Sequence, residues 1–340
     1  MFLDQVSYWS FVCRLSKHLR IILFQNTMAS WQAHFMSFVL RHTFKPRLAR
    51  CKDALQARSV MGGGAAFKVP AGIEITLAAM GGVPGEWIKA ESGSSTAVLV
   101  YLHGGGYFAC SAASHRAYTT HFAKEGFHVY APDYRLAPEH PFPAAIEDAV
   151  AVYRALRAEA GASAPMLIGG DSAGGGLALA TMLKLRAEGD ALPLAALLFS
   201  PLTDLAGTGN SRVTNDKRCA MFFGNGLAFA RDLYLGSSGD PHDPLASPLY
   251  ADLKGLPPLL IHAGANETLR DDSTQFAERA RAAGVPVELT VWPAVPHVWQ
   301  LFHRFVPEGR QSLAAATQFL NKAIAGANHQ AVKHVEVAAR

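Results

Sequence analysis

The chain has 340 residues, enough for one large α/β domain or two smaller ones and for a substantial buried core. Half of the residues are apolar and 17% are charged, the balance of an ordinary soluble globular protein. The net charge of +4 is small for this length and forms no basic stripe of the size a nucleic acid needs, so nucleic acid is excluded as a partner.

The first fifty residues are unusual. Tyr8–Val12 and Ile21–Phe24 are apolar, but Arg14, Lys17 and Arg20 interrupt them. No run approaches the ~18 apolar residues of a spanning helix. Asp4 comes early and the basic residues fall mid-segment, which is not the order of an export signal. Two readings stay open for residues 1–27: an amphipathic arm that covers an apolar site or touches a membrane surface, or a loosely ordered extension ahead of a start at Met28. Cys13, Cys51, Cys110 and Cys219 are widely spaced without a C-x-x-C pair, which predicts free thiols and a cytoplasmic protein.

From about residue 96 short apolar runs alternate with helical patterns, which predicts an α/β fold with a mostly parallel sheet covered on both faces. Strands are expected at 97–102, 128–131, 166–169, 195–199, 258–263 and 287–292. Helices are expected near 114–125, 143–159, 173–188, 272–283 and 309–325. The glycine-rich, aromatic stretch 203–245 reads as a cap insertion that walls a site. The tail after Gly326 shows no clear period and is expected to be loose.

Two motifs carry the chemistry. Gly170-Asp-Ser-Ala-Gly174 follows an apolar strand and matches G-x-S-x-G, a sharp strand-to-helix turn that exposes a serine hydroxyl. His103-Gly-Gly-Gly106 follows another strand and is the kind of loop whose N–H groups face a developing oxyanion. Together they predict serine-dependent acyl transfer with Ser172 as nucleophile. A serine hydroxyl needs a base within reach and a group that orients the base. His297, just after the last predicted strand, is the expected base. The acid must lie between them in the chain, where Glu267, Asp271 and Asp272 are candidates. Glu267 is nearest the carboxyl end of its strand, whereas Asp271 and Asp272 suit a helix N-terminus; Asp271 stays as the alternative acid. Oxyanion donors are expected from Gly104, Gly105 and Ala173, and pocket walls from Tyr107, Phe108 and Asp171. Zinc-spaced Cys/His patterns, H-E-x-x-H and a P-loop are absent from the sequence, so no metal or organic cofactor is expected.

With these residues in view, the chain resembles the bacterial hormone-sensitive-lipase family of carboxylesterases, of the α/β-hydrolase fold. The likeness rests on His103–Tyr107, Asp133–Ala144, Gly170–Gly175, Ser247–Leu249 and Pro296–Val298. It implies hydrolysis of short- to medium-chain esters through an acyl-enzyme intermediate. It also implies N-terminal cap helices within residues 1–60, a catalytic domain over 61–326, and a homodimer through the last strand and C-terminal helix. The segment Asp133–Ala144 is marked by the resemblance alone, as structural support. The family's acid is commonly the Asp of an Asp-Pro-Leu segment; here Glu267-Thr-Leu269 stands in that place. Amide, lactone or acetyl-group hydrolysis would use the same groups. A non-catalytic receptor on this scaffold would have lost a triad residue, and this chain retains all three.

Overall fold

The computed structural model describes residues 29–62, 67–91, 96–224 and 226–338, with side chains through 329. The expectations for an N-terminal arm concern residues 1–27 and lie outside the described residues. Two helices come first, α1 (Trp31–Ala49) and α2 (Ala54–Gly62), then a hairpin of β1 (Ile73–Met80) and β2 (Val83–Ala90). The expected alternation follows with β3 (Val98–Leu102), α3 (Arg116–Lys124), β4 (His128–Pro132), α4 (Ala144–Ala160), β5 (Met166–Asp171), α5 (Ala173–Ala187) and β6 (Ala196–Phe199). Short α6 (Ser211–Thr214) and α7 (Gly226–Leu235) precede β7 (Leu259–Gly264), α8 (Arg270–Ala282), β8 (Val287–Trp292) and α9 (Pro307–Ala338).

Among the described residues the strands form one eight-stranded sheet in the order β1-β2-β4-β3-β5-β6-β7-β8. From β4 to β8 all pairs are parallel, and β1 and β2 add an antiparallel edge. Strand periodicity of two divides the core. Val98, Val100 and Leu102 of β3 face the cluster containing Ile146 of α4 and Leu177 of α5. Leu99 and Tyr101 face Phe122 of α3 and Leu313 of α9 on the other side. A strand buried on both faces needs apolar residues throughout, which is why these runs lack polar alternation.

Two sequence expectations need correction. The β1–β2 hairpin lies ahead of the predicted sheet; its signal is Gly81-Gly82, both at positive φ, between two strand-like runs. The segment after Gly326 continues α9 as helix through Ala338 rather than forming a loose tail. Among the described residues no helix is long and apolar enough to cross a membrane.

Candidate active site

The motif residues gather where ligand sites of open α/β sheets form, beyond the carboxyl ends of the strands. His103–Gly106 follows β3, Ser172 follows β5, Glu267 follows β7 and His297 follows β8. Ser172 sits at φ 53°, ψ −123°, a backbone conformation that side-chain-bearing residues seldom adopt. Its N–H donates to the Phe199 carbonyl at 2.8 Å, and its own carbonyl accepts from Gly175, Gly176 and Leu202 at 2.9–3.1 Å. Every residue from Met166 to Leu183 is buried except Ser172. A Cβ at Gly174 would collide with the Leu102 and His103 carbonyls, so glycine lets the first turn of α5 sit against the end of β3.

His297 and Glu267 form a buried pair, 2% and 1% exposed, with Nδ1 donating to Oε2 at 2.6 Å. The other carboxylate oxygen, Oε1, accepts from Ser200 Oγ at 2.7 Å and from the Gly264 N–H at 2.5 Å. Asn215 Nδ2 donates to the Glu267 carbonyl at 2.9 Å and so fixes the loop. Phe222 presents its ring to the imidazole edge-on, at 5.0 Å. The alternative carboxylates are committed elsewhere. Asp271 accepts from the Ser211 N–H at 2.8 Å and pairs with Arg270, while Asp272 holds the Thr203 and Asp204 N–H groups and Arg212. Both tie α8 to the segment that follows β6.

The glycine-rich loop corrects one expected donor. The Gly104 N–H is committed to Asp171 Oδ1 and His115 Nε2, each at 3.3 Å, and Gly104 does not line the cavity. Gly105 and Gly106 line the cavity instead. A Cβ at Gly105, whose φ is 122°, would collide with the Ala109 carbonyl, so this glycine is demanded by the loop itself. Tyr107 is also corrected: it is buried, stacks on Tyr234 at 3.8 Å, and does not line the cavity, whereas Phe108 does. Asp171 reaches the cavity wall, but its carboxylate accepts from Tyr101 Oη at 3.0 Å and lies 3.2 Å from His115 Nε2. Burial alone would raise its pKa; the His115 and Tyr101 contacts outweigh that and hold the carboxyl below its ordinary range. His103 is pushed down to about 3, chiefly by burial and then by its neighbour His115, and is therefore a neutral structural imidazole.

Asp133–Ala144, marked in the sequence only by likeness, acquires a physical role as the brace of this loop. The Tyr134 ring stacks on His103 at 4.3 Å, and its hydroxyl donates to the His103 carbonyl at 2.6 Å. The Ala137 N–H donates to the Tyr107 carbonyl, and Asp133 Oδ1 accepts from the Ala112 N–H. Arg58 of α2 adds a strut, donating to the carbonyls of Phe108 and Ala137 and pairing with Glu139. Tyr134→Phe keeps the stack but strands a buried carbonyl. Thermal unfolding is expected to show a loss of about 1–3 kcal/mol; an unchanged Tm would remove Tyr134 from the brace.

The cavity over Ser172 and His297 has a volume of about 720 Å³. Its walls come from α1 and α2 (Leu40, Phe44, Val60) and from the 221–230 segment (Phe222, Leu227, Phe229).

A model of the α/β hydrolase fold family matches residues 99–301. The chain is 42% identical over 257 residues to an acetyl-hydrolase of Streptomyces hygroscopicus, which covers 75% of this chain and 84% of that protein. It is 38% identical over 248 residues to an esterase of Acinetobacter venetianus, covering 73% and 82%. The crystal structure of an esterase from the bacterial hormone-sensitive lipase family superposes with a TM-score of 0.80 at 41% identity, covering 88% of this chain and 100% of that one. The chain belongs to the bacterial hormone-sensitive lipase family of esterases.

Three further residues of this family member escaped the sequence reading. Lys45 of α1 is buried; its ammonium donates to the Asp216 and Cys219 carbonyls at 2.6 and 3.0 Å and lies 4.1 Å from the Phe223 ring centre. Burial lowers its pKa, and its donors pin α1 to the loop that carries Phe222. Nothing local in the sequence marked Lys45 or Arg58, because both act on partners far along the chain. Ser200 did carry a signal: a polar residue directly after a buried strand, at the sheet's carboxyl edge.

Proposed function

We propose that this protein hydrolyses short- to medium-chain carboxylic esters through a covalent acyl-enzyme on Ser172. The observation that carries the reading is the buried Glu267–His297 hydrogen bond, placed on the same cavity as Ser172, the one residue of the strained serine turn that is not fully buried. His297 Nε2 takes the Ser172 proton as Oγ attacks the ester carbonyl carbon. The tetrahedral oxyanion accepts hydrogen bonds from the N–H groups of Gly105, Gly106 and Ala173, the last at the positive end of α5. Collapse breaks the C–O bond, and the imidazolium returns its proton to the departing alcohol. Water then attacks the acyl carbon with His297 again as base, releasing the acid and restoring Ser172. Glu267 keeps Nδ1 protonated and supports the imidazolium charge.

In this reading α1, α2 and the 203–245 segment act as a cap that supplies the apolar binding surface. Binding energy then comes from burying alkyl and acyl groups at roughly 25 cal/mol per Å². Initial rates on p-nitrophenyl esters from acetate to palmitate are expected to peak between butyrate and octanoate. A maximum at palmitate would overturn the chain-length assignment, and no turnover of any ester by folded protein would overturn the function. Similarity to an acetyl-hydrolase favours acetyl esters as the second reading, seen as a maximum at acetate.

A further inference from the structure

Between the nucleophile and the acid lies a side chain with no assigned part. Ser200 follows β6, whose last residue Phe199 is in register with Asp171 of β5 and His262 of β7. One step beyond that row, Ser200 stands between the Ser172 turn and the Gly264 corner. It is fully buried, and its backbone is held at φ 47°. Its N–H donates to the His262 carbonyl at 2.7 Å. A side-chain-bearing residue seldom adopts this conformation, so something makes use of its position. Here the hydroxyl is aimed at Glu267 Oε1, at 2.7 Å.

We propose that Ser200 is the positioning residue for the acid, locking Oε1 so that Oε2 alone meets His297. The proposal rests on the triad reading above. A glutamate has one more rotatable bond than an aspartate, so its carboxylate needs an anchor that the shorter side chain needs less. The Gly264 N–H alone would leave the carboxylate free to pivot about one contact. The Ser200 hydroxyl supplies a second contact to the same oxygen from the adjacent strand, and the two donors fix Oε1 while His297 holds Oε2. The position also explains why the hydroxyl is internal: buried away from water, it donates to the triad acid, and burial makes that charge-assisted bond count.

The test uses Ser200→Gly, which accepts the φ and deletes the hydroxyl, and Ser200→Ala as the variant that keeps a Cβ. Each is measured on p-nitrophenyl butyrate alone and combined with Glu267→Ala. Expected is a 10- to 100-fold fall in kcat with KM within about twofold, and no further fall when Glu267 is already alanine, as for two residues acting through one contact. A structural role would lower activity equally in both backgrounds. Wild-type kcat in both single variants, or an equal loss in the Glu267→Ala background, overturns the proposal. Should Ser200→Gly fail to fold, Ser200→Ala alone decides by the same cycle. Failure of the triad reading is separately visible, since Ser172→Ala would then remain active.

Discussion

Replacing Ser172 with alanine is expected to lower kcat for ester hydrolysis by about 10⁶ while leaving the fold intact. In the proposed mechanism the loss is this large because serine, imidazole and carboxylate act as a unit: without Oγ no acyl-enzyme forms, and the base has no proton to remove. Residual turnover would come from the oxyanion donors and substrate binding, at about 10³–10⁴ over water. Stability should hardly move, because alanine adopts φ 53° as reluctantly as serine and Ser172 makes no side-chain cap on α5. Rates and melting temperatures measured on the same preparation check both parts. Retention of more than a few per cent of wild-type kcat by a folded variant would mean that water, rather than serine, attacks the ester.

Glu267→Gln is expected to cost about 10⁴ in kcat. The amide keeps nearly the same shape but can donate to Nδ1, favouring the wrong imidazole tautomer, and it cannot balance an imidazolium buried at 2% exposure. Asp271→Asn is the companion measurement and should keep activity within a few-fold. The Asp271 carboxylate supports the Ser211 N–H and pairs with Arg270, and it touches neither His297 nor Ser172. Steady-state kinetics of the two variants on one ester decide between them. A severe loss in Asp271→Asn with a mild one in Glu267→Gln would transfer the acid role to Asp271.

What could be read from the chain alone followed a physical pattern. Strands β3 to β7 announced themselves because burial on both faces demands unbroken runs such as Val98–Leu102 and Met166–Ile168. The serine turn was legible because its residues are contiguous in the chain: Gly170 is required by the close Gly174 carbonyl, although Gly174 itself is required by the Leu102 and His103 carbonyls at the end of β3. The β1–β2 hairpin escaped because β1 buries only Ile73 fully and its alternation stops at Thr76, before Leu77-Ala-Ala-Met80. Gly104 was misassigned because spacing gives the order of three glycines and not the direction of each N–H, which here is set by Asp171, 67 residues away. Tyr107 was misassigned for the same reason: its neighbour Phe108 faces the cavity while it stacks on Tyr234, a partner no local pattern reveals. Likewise Tyr134, Arg58, Lys45 and Ser200 act across the fold on carbonyls or on Glu267, and a single sequence does not show such partners.

The contrast between the two sides of the cavity sets how the protein can be altered. Beneath the substrate, Gly174 lies against main-chain oxygens and the loop at Gly105 closes on Ala109, so even a methyl group has no room. Above it, the walls are side chains such as Leu40, Phe44, Leu227 and Phe229, where volume can be exchanged without moving a backbone. Selectivity and reactivity are therefore mutable at separate addresses. A library confined to the upper wall should yield folded enzymes of shifted acyl preference at high frequency, while one directed at the floor should yield mostly inactive or unfolded chains.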